Sequence, residues 1–393
     1  MRADGLFCYN HAMKKNVLVM ISPVSAARLT GIARFAREHG WHLMIQDRLG
    51  YRPLYWQGDG IITALRSDPA TYAAALKLMR RGIPLVDVTA SRPEAKVPRV
   101  MSDHVGIGRL AAEHFAERNF RNVVWFSTGW GNVHALRWQG LTERRPEGLC
   151  EKWIALDELP KCRRNDWTAF LRWTARKLAA APKPLAAMTY DAADAASLLD
   201  AADRAGVAVP EELAILSIGN DPLICNYQSV PLSSIDQNLE RGGYEAAALL
   251  ERLMDGEPPP AAPILIPPNG IVLRRSTDIV AAADPLVKRA LDFLAANIAR
   301  PFGAAQIAEA LGVSRNVLDK RFRADLSRSI GEEILRQRLA RVKLLLKNTD
   351  KTVADIAAET GFCNAAYLTN TFRETTGVTP RAYRTSTPPA RVL

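Results

Sequence analysis

The sequence predicts two domains of different fold class: an α/β domain with parallel sheets over residues 1–275 and an all-α domain over residues 284–385. In the first region, short apolar runs alternate with amphipathic helical patterns, which is typical of a doubly wound parallel sheet. The second region contains one helix-turn-helix pattern twice. Residues 276–283 are predicted to be a linker between the domains, and residues 386–393 a tail.

The apolar runs of the first region predict buried strands because they are short and rich in aliphatic residues. They comprise residues 17–21, 43–45, 60–65, 84–88, 123–126, 186–188, 213–218 and 271–273. The intervening helical patterns cover residues 27–38, 71–80, 108–117, 167–178, 192–205 and 239–254. Parallel sheets of this class bind ligands at the carboxyl ends of their strands, so the side chains that follow each run are candidates for a site.

The two copies of the helix-turn-helix pattern occupy residues 305–322 and 354–372. Their turn glycines are 49 positions apart, whereas their last aromatic anchors, Phe322 and Phe372, are 50 apart. One residue has therefore been added before or within the last helix of the second copy. A short helix, a tight turn at glycine and a second helix present that second helix to a DNA major groove, so the pattern predicts DNA binding.

A basic helix is predicted between the two copies. Apolar residues recur at helical spacing through residues 332–347, and five Lys or Arg residues lie among them. This helix would set the distance between the motifs, so that both can enter successive grooves on one face of a duplex. Upstream, Asp284 and Pro285 predict the N-cap and first residue of another amphipathic helix.

The charge distribution agrees with nucleic-acid binding without deciding it. Residues 284–393 hold 18 Lys and Arg against 11 Asp and Glu, while residues 1–283 hold 34 against 30. A basic surface attracts phosphates whatever the base sequence, so it supplies affinity rather than specificity.

The second region resembles the AraC family of arabinose-operon regulators. The family's C-terminal signature is matched by Ile356-Ala357, Gly361-Phe362, Tyr367, Phe372-Arg373, Gly377, Thr379-Pro380 and Tyr383-Arg384. The sequence departs from the family where Ala365 and Ala366 replace residues that are often polar and Asn370 replaces a basic residue. In the first copy, Ser327 stands where the second copy has Gly377. The resemblance covers residues 284–385 and implies sequence-specific binding of double-stranded DNA.

The candidate DNA contacts lie at the start of each second helix. In the first copy, Ser314 would cap the helix, while Arg315 and Asn316 occupy the first turn, where guanine and adenine edges are reached, and Lys320 follows. The second copy offers Asn364, Thr369 and Asn370, and its two alanines can contact only thymine methyl groups. The alternative for all of them is an ordinary exposed helix residue.

The first region resembles the ligand-binding domain of the LacI/GalR family, which has the two-lobed, type I fold of periplasmic sugar-binding proteins. The matching segments appear in the family's order over some 270 residues: 59–62, 102–103, 106–115, 217–221, 231–237, 243–250 and 273–277. The family's N-terminal helix-turn-helix has no counterpart, because the first predicted strand begins near residue 17.

A LacI-like domain followed by an AraC-like domain resembles the arrangement of the xylose-operon regulator family along essentially the whole chain. The resemblance implies a cytoplasmic transcription factor, a homodimer, whose DNA binding responds to a small molecule, a sugar first. RNA polymerase would be a partner if the protein is an activator. The resemblance implies no cofactor, metal or catalytic residue.

Four residues are candidates for contact with that effector. Asp221 and Asp191 each follow a predicted strand and could accept hydrogen bonds from sugar hydroxyls. Arg137 stands where repressors of this fold direct an arginine into the cleft, and Trp130 could stack on a sugar ring. The alternatives are turn-forming aspartates, a surface arginine and a packed or exposed tryptophan.

The candidate residues favour a neutral polyhydroxylated effector, because two carboxylates would repel an anion. Pentoses and related monosaccharides come first. The loop that begins at Ser22 is less polar than is usual in the family, which favours an altered or less polar effector. A non-sugar metabolite therefore remains an alternative.

Two other classes of protein with this fold are less well supported. Residues 106–111 fit a dinucleotide-binding glycine pattern, but no acidic residue follows near twenty positions on, which disfavours an enzyme. A secreted solute-binding protein would carry a signal peptide, and residues 1–15 contain no apolar run. Five cysteines without CxxC spacing suit free thiols in a reducing cytosol, and no membrane-spanning segment is expected.

Overall fold

The computed structural model describes residues 15–21, 25–46, 56–65, 69–143, 148–282 and 284–385. The chain divides into two compact units, Met1–Ala116 with Arg121–Thr277 and Glu117–Phe120 with Asp278–Leu393. The predicted tail and residues 22–24, at the start of the loop that follows the first strand, lie outside the described residues.

Strands and helices alternate along the first unit, as the apolar pattern predicts. The strands are β1 (Asn16–Met20), β2 (His42–Gln46), β3 (Gly60–Thr63), β4 (Leu85–Asp87), β5 (Val100–Ser102), β6 (Asn122–Ser127), β7 (Cys150–Ile154), β8 (Leu185–Thr189), β9 (Leu213–Ile218), β10 (Ser233–Asp236), β11 (Ile264–Ile266) and β12 (Gly270–Val272). The helices are α1 (Ala26–Glu38), α2 (Pro69–Met79), α3 (His104–Glu117), α4 (Asn132–Thr142), α5 (Ala155–Glu158), α6 (Trp167–Ala180), α7 (Ala192–Ala205), α8 (Pro222–Asn226) and α9 (Leu239–Met254).

Two parallel sheets form the first unit. The strand order β2-β1-β3-β4 defines the sheet of the first lobe. Alternate residues of β1 fall in different cores, Val17 and Val19 in one and Leu18 and Met20 in the other. Both faces of this sheet are therefore covered, which explains why its strands are continuously apolar.

The second lobe contains the sheet β12-β10-β9-β8-β6-β7, in which β12 alone is antiparallel to its neighbour. β5 and β11 pair as a separate two-stranded ribbon. The apolar pattern did not predict β5, β7, β10 or β11. β5 has three residues and ends in serine, and β7 is an edge strand with Glu151 and Lys152 exposed, so neither gives an apolar run. β11 is apolar but has only three residues, which follow a proline-rich stretch.

Glycines let two helix pairs approach closely in the first unit. A Cβ built at Gly31 of α1 would lie 1.9 Å from the Glu240 carbonyl oxygen, and one at Gly243 of α9 would lie 2.1 Å from the Arg28 carbonyl oxygen. Helices α3 and α4 approach each other equally closely at a glycine, because a Cβ at Gly108 would lie 2.0 Å from the Arg137 carbonyl oxygen. These backbones are in contact, so even a methyl group does not fit.

The second unit is helical and contains two cores. Its helices are α10 (Pro285–Asn297), α11 (Ala304–Ala310), α12 (Arg315–Leu326), α13 (Ile330–Asn348), α14 (Val353–Glu359), α15 (Ala365–Thr376) and α16 (Pro380–Thr385). Leu318 and Phe322 of α12 lie in the first core with Ile334 of α13. Leu368 of α15 lies in the second core with Leu339 of α13. The predicted connecting helix therefore packs into both cores.

Two features of the boundary between the units differ from the sequence-based expectation. Ser276 and Thr277, placed in the predicted linker, are fully buried in the first unit, where the Ser276 hydroxyl accepts from Ser233 N at 2.8 Å and donates to Ile215 O at 2.6 Å. The four residues Glu117–Phe120, placed in the first domain, belong to the second unit. Neither feature has a local sequence signal, because both depend on contacts between residues far apart in the chain.

Adjacent glycines of α9 allow a matched test of the α1–α9 contact. We expect Gly243→Ala to lower the free energy of unfolding of the first unit by roughly 3 kcal/mol, because the new Cβ meets backbone atoms. Gly242→Ala should be neutral or stabilising by up to about 1 kcal/mol, because its Cβ would find no atom nearer than 3.8 Å. Differential scanning calorimetry of both variants measures the difference, and equal midpoints would contradict the close contact.

Candidate functional site

A cleft of about 1200 Å³ opens at the carboxyl ends of the strands of both lobes in the first unit. Its walls include Ile21 after β1, Val88 after β4, Tyr190 after β8 and Gly219 after β9. The N-termini of several helices face the same space, which is the position where parallel α/β sheets bind ligands.

Asp191 and Asp221 line this cleft and also cap helices. Oδ1 of Asp191 accepts from Asp194 N at 2.9 Å at the start of α7, and Oδ1 of Asp221 accepts from Leu223 N at 2.9 Å at the start of α8. Within the described residues, Oδ2 of each carboxylate has no hydrogen-bond partner. The turn-forming role and the binding role are therefore compatible, because they use different oxygens.

Arg137 lines the cleft as a buried side chain, 4% exposed. Its Nη1 donates to Tyr190 O at 2.8 Å, its Nη2 to Gln237 Oε1 at 2.8 Å and its Nε to His104 Nδ1 at 3.3 Å. Burial lowers the pKa of Arg137 to about 10, against the favourable charges of Tyr190 and Asp191, so it stays ionised at neutral pH. Three of its five N–H groups are used, which leaves two for a ligand.

His104, the first residue of α3, is a cleft residue that the sequence did not single out. Burial lowers its pKa well below the usual value, and the charges of Arg137 and Arg28 lower it further, so the ring is neutral at pH 7. Because Arg137 Nε can only donate, His104 Nδ1 is the acceptor and Nε2 carries the hydrogen. Gln237 was missed as well; it follows β10 and holds Arg137.

Trp130 is not brought to the cleft by this fold. Its ring is 39% exposed, lies 4.5 Å from Lys152 Nζ and meets Trp125 edge-on at 6.4 Å. It is not among the residues that line the cleft. Its ring lies 5.8 Å from that of His134, which stacks on the cleft residue Tyr190 with ring centroids 4.1 Å apart.

Basic and acidic side chains are balanced among the described cleft residues. The basic ones are Arg28, Arg34, Arg137 and Arg241, and the acidic ones are Asp191, Asp221, Asp236 and Glu240. Arg34 pairs with Glu240 at 2.5 Å, and the Asp236 oxygens accept from Asn238 N and Asn269 Nδ2. The cleft therefore suits a ligand without net charge.

The first helix-turn-helix presents its predicted contact residues to solvent. Ser314 Oγ accepts from Val317 N at 3.3 Å as the N-cap of α12. Arg315, Asn316 and Lys320 are all exposed. Asn316 and Lys320 lie on the face of α12 away from the buried Leu318, whereas Arg315 is exposed because it is the first residue of the helix. This surface has the polar and cationic side chains that base edges and phosphates require.

The second helix-turn-helix presents a different surface. Asn364 caps α15 by accepting from Tyr367 N at 2.8 Å, and the Thr369 hydroxyl donates to Ala365 O at 2.7 Å, whereas Asn370 is exposed. Leu368, rather than Tyr367, is the buried anchor, so Tyr367 is 53% exposed beside Asn370. The extra residue of this copy lies in the turn between Gly361 and the N-cap, and from the cap onward α15 has the same spacing of buried residues as α12.

Neither a metal cluster nor a membrane span is found in the part of the chain that the structure describes. No three His, Cys, Asp or Glu residues gather there as metal ligands. No helix there is both long and apolar enough to cross a bilayer.

Asp194, which lies behind Asp191, gives the cleft region a specific pH dependence. Burial and then the Asp191 charge raise the pKa of Asp194 to about 6 from a usual value of 3.8. The folded state thus binds more protons than the unfolded state between pH 4 and 6, and stability falls as pH rises through that window. We expect Asp194→Asn to remove this loss and to be more stable than wild type at pH 7 by up to about 3 kcal/mol.

Thermal unfolding of wild type and Asp194→Asn from pH 4 to pH 7 checks this expectation. The exposed Asp203 of the same helix supplies the control, because Asp203→Asn should leave the pH profile unchanged. Parallel profiles for wild type and Asp194→Asn would show that the Asp194 carboxyl titrates normally.

Known proteins resemble the chain over both units. The periplasmic binding protein-like domain family matches residues 112–277, and a helix-turn-helix domain family matches residues 307–386. The xylose operon regulatory protein of Haemophilus influenzae is 28% identical over 368 residues, which cover 90% of this chain and 93% of the relative. The protein of the same name from Escherichia coli K12 is 27% identical over 89% of this chain and 90% of its own length.

A solved structure described as a xylose-binding transcription activator shares the fold. It superposes with a TM-score of 0.61 at 22% identity and covers 96% of this chain and 99% of its own. The relatives, the two matched domain families and their order along the sequence agree with one another. The chain is thus a transcription regulator similar to the xylose operon regulatory proteins over about nine-tenths of its length, in which a periplasmic binding protein-like domain precedes a helix-turn-helix domain.

Proposed function

We propose that a neutral monosaccharide, with a pentose such as xylose as first candidate, binds in the cleft and controls DNA binding by the second unit. The observation that carries this proposal is the convergence of Arg137, Asp191 and Asp221 on one cleft whose charges balance. The relatives named for the xylose operon support the pentose.

The cleft chemistry matches a polyhydroxylated ring. The Oδ2 atoms of Asp191 and Asp221 accept from hydroxyl groups, while the remaining Arg137 N–H groups and His104 Nε2 donate to hydroxyl or ring oxygens. The first-lobe wall includes the apolar residues Ile21, Ala64 and Val88, which would cover the C–H face of the sugar. A less polar metabolite would use the same wall, and the screen below separates the two.

The exposed residues of α12 are proposed to determine DNA sequence preference. Arg315 and Asn316 lie in the first turn, where Arg pairs with guanine and Asn with adenine through two hydrogen bonds each. Ser314 and Lys320 are proposed to contact phosphates. On α15, Asn364, Thr369 and Asn370 make fewer contacts, because a cap and an internal hydrogen bond occupy Asn364 Oδ1 and the Thr369 hydroxyl.

The remaining parts of the proposal concern assembly and location. We place the protein in the cytoplasm, as a homodimer without catalytic activity, where a dimer brings four helix-turn-helix motifs to one operator. If the protein activates transcription, RNA polymerase is a further partner.

A thermal-shift screen of neutral monosaccharides tests the effector. A ligand that binds the folded state alone raises its apparent stability, so we expect a pentose to raise the unfolding midpoint of wild type. We expect Asp221→Ser to lose that shift, because serine keeps the cap of α8 but lacks the second carboxylate oxygen.

Asp166→Ser is the matched control. Asp166 caps α6 in the same manner, accepting from Ala169 N at 3.0 Å, and is not among the residues that line the cleft. An equal sugar-induced shift in Asp221→Ser and Asp166→Ser would remove Asp221 from the site. Stabilisation of wild type by a non-sugar metabolite and by none of the sugars would overturn the sugar proposal.

Selection of preferred duplexes from a random library tests the DNA contacts. We expect Arg315→Ala to weaken binding to the preferred duplex by tenfold or more and to relax the preference at one position, since a bidentate base contact is worth roughly 1–3 kcal/mol. Lys320→Ala, one turn along the same helix, should weaken all duplexes about equally. An unchanged preference in Arg315→Ala would exclude Arg315 as a base-reading residue.

A further inference from the structure

The two helix-turn-helix motifs of the second unit meet away from their separate cores. The segment Ile298–Phe302, between α10 and α11, belongs to the first motif, and the turn at Gly361 belongs to the second. Arg338 of α13 lies beside both, at the point where the connecting helix leaves the first core at Ile334 and enters the second at Leu339. We call Arg338, Gly361 and the Ile298–Phe302 segment the junction.

Arg338 binds the first motif through its guanidinium. Its Nη2 donates to Arg300 O at 2.8 Å and to Phe302 O at 3.3 Å, and its guanidinium carbon lies 5.0 Å from the centre of the Phe302 ring. Phe302 in turn meets Phe293 edge-on at 6.0 Å, next to the first core. The guanidinium thus donates to carbonyl oxygens of the segment that follows the C-terminal end of α10, the end at which a helix dipole favours positive charge.

Gly361 brings the second motif against the same groups. A Cβ at Gly361 would lie 2.8 Å from both Ile298 O and Arg300 O, and 2.9 Å from Arg338 Nη2. The equivalent turn glycine of the first motif, Gly312, has nearly the same backbone angle, φ +69° against +71°, and no atom within 4 Å of its Cβ position. The turn angle is therefore shared by both motifs, whereas the close approach belongs to the second alone.

We propose that Arg338 is a positioning residue that, with Gly361, locks the two helix-turn-helix motifs at a fixed orientation and so sets the spacing of the two DNA elements that one chain reads. Neither residue touches DNA in this role. The spacing requirement rests on the proposed DNA binding, whereas the locked orientation does not depend on it.

A fixed orientation matters because DNA is a helix. Each added base pair moves the next element along the axis and rotates it by roughly 34°, since a turn contains about 10.5 base pairs. If the two motifs are held rigidly, they cannot follow that rotation of the second DNA element. If α13 alone joined them, bending of α13 would let the second motif follow it. In this proposal the junction fixes the distance and the orientation between the two motifs, which the connecting helix alone would leave variable.

The first measurement needs no DNA. Lys320 and Asn370 are both exposed, on α12 and α15. Nitroxide labels attached to Lys320→Cys and Asn370→Cys report the distance between these two helices by pulsed electron paramagnetic resonance. The background replaces Cys8, Cys150, Cys162 and Cys363 by serine and keeps the buried Cys225. We expect one narrow distance in wild type and a broad distribution in Arg338→Met, which keeps an apolar stem without charge or donors. Arg338→Lys should restore part of the narrowing.

Arg341→Met is the matched control, because Arg341 is exposed one turn further along α13. It should keep the narrow distance. An equally narrow distribution in Arg338→Met, or equal broadening in Arg341→Met, would overturn the role of Arg338 in the lock.

The second measurement uses the duplex selected with wild type, and the same duplex with one base pair added or removed between its two elements. We expect wild type to lose tenfold or more in affinity on either change, and Arg338→Met to lose less than threefold. Binding to a duplex that keeps only the first element should be the same for both proteins, which a merely unfolded variant would not achieve. Retention of the wild-type spacing requirement by Arg338→Met would overturn the proposal.

The two measurements separate the inference from the proposed function. If wild type selects no preferred duplex, DNA reading fails and the spacing requirement falls with it, while the distance distributions still decide whether Arg338 locks the motifs. A comparison of Gly361→Ala with Gly312→Ala adds an independent check. Both bear the same turn strain, so a broader distance in Gly361→Ala alone supports the junction, and equal effects of the two would count against it.

Discussion

The buried guanidinium of Arg137 is the interaction on which the cleft of the first unit depends. A buried cation is costly unless its donors are satisfied, and here three neutral acceptors take three of its five N–H groups. They are the Tyr190 carbonyl after β8, the Gln237 amide after β10 and the His104 ring at the start of α3. One group therefore fixes the ends of two strands and the start of a helix. Because none of these acceptors is a carboxylate, the charge is not cancelled, and Asp191 lies close enough to stabilise it without a direct bond. An effector hydroxyl held by Asp191 would meet a donor whose position is already fixed.

The second unit applies a repeated pattern to two unequal surfaces. Both recognition helices end with a residue in the left-handed conformation, Gly377 at φ +78° and Ser327 at φ +56°. Serine accepts that conformation at a cost of about 1 kcal/mol, so the first copy keeps the geometry without the glycine. The extra residue in the second copy lies between Gly361 and the N-cap Asn364, so α15 keeps the register of α12 from cap to buried anchors, and Val317 and Tyr367 are exposed at equivalent positions. The fold thus tolerates both a change of residue at the end of the second helix and an insertion in the turn before it.

Local patterns predicted the features that local forces determine. Buried apolar runs identified most strands, and polar residues directly after them identified Asp191 and Asp221, because parallel strands end at a common edge. The capping role of both aspartates was among the alternatives and coexists with their place in the cleft. Trp130 also follows a strand, but it is not among the residues that line the cleft, and its ring lies against Lys152 of the neighbouring strand β7. His104 enters the cleft from a helix start that follows β5, a strand too short to give an apolar run.

Helix α3 connects the two functions through the backbone. It begins at His104, which lines the cleft, and its last residue, Glu117, already belongs to the second unit, as do the three residues that follow. There Arg328 Nη2 donates to Glu117 O at 3.2 Å, and Asn119 Nδ2 donates to Ala281 O at 2.8 Å and to Asp325 O at 3.1 Å. The chain thus crosses between the units after residues 116, 120 and 277, so they are joined by more than a single linker. α3 is thus one continuous helix that begins with a residue of the cleft and ends with a residue of the second unit.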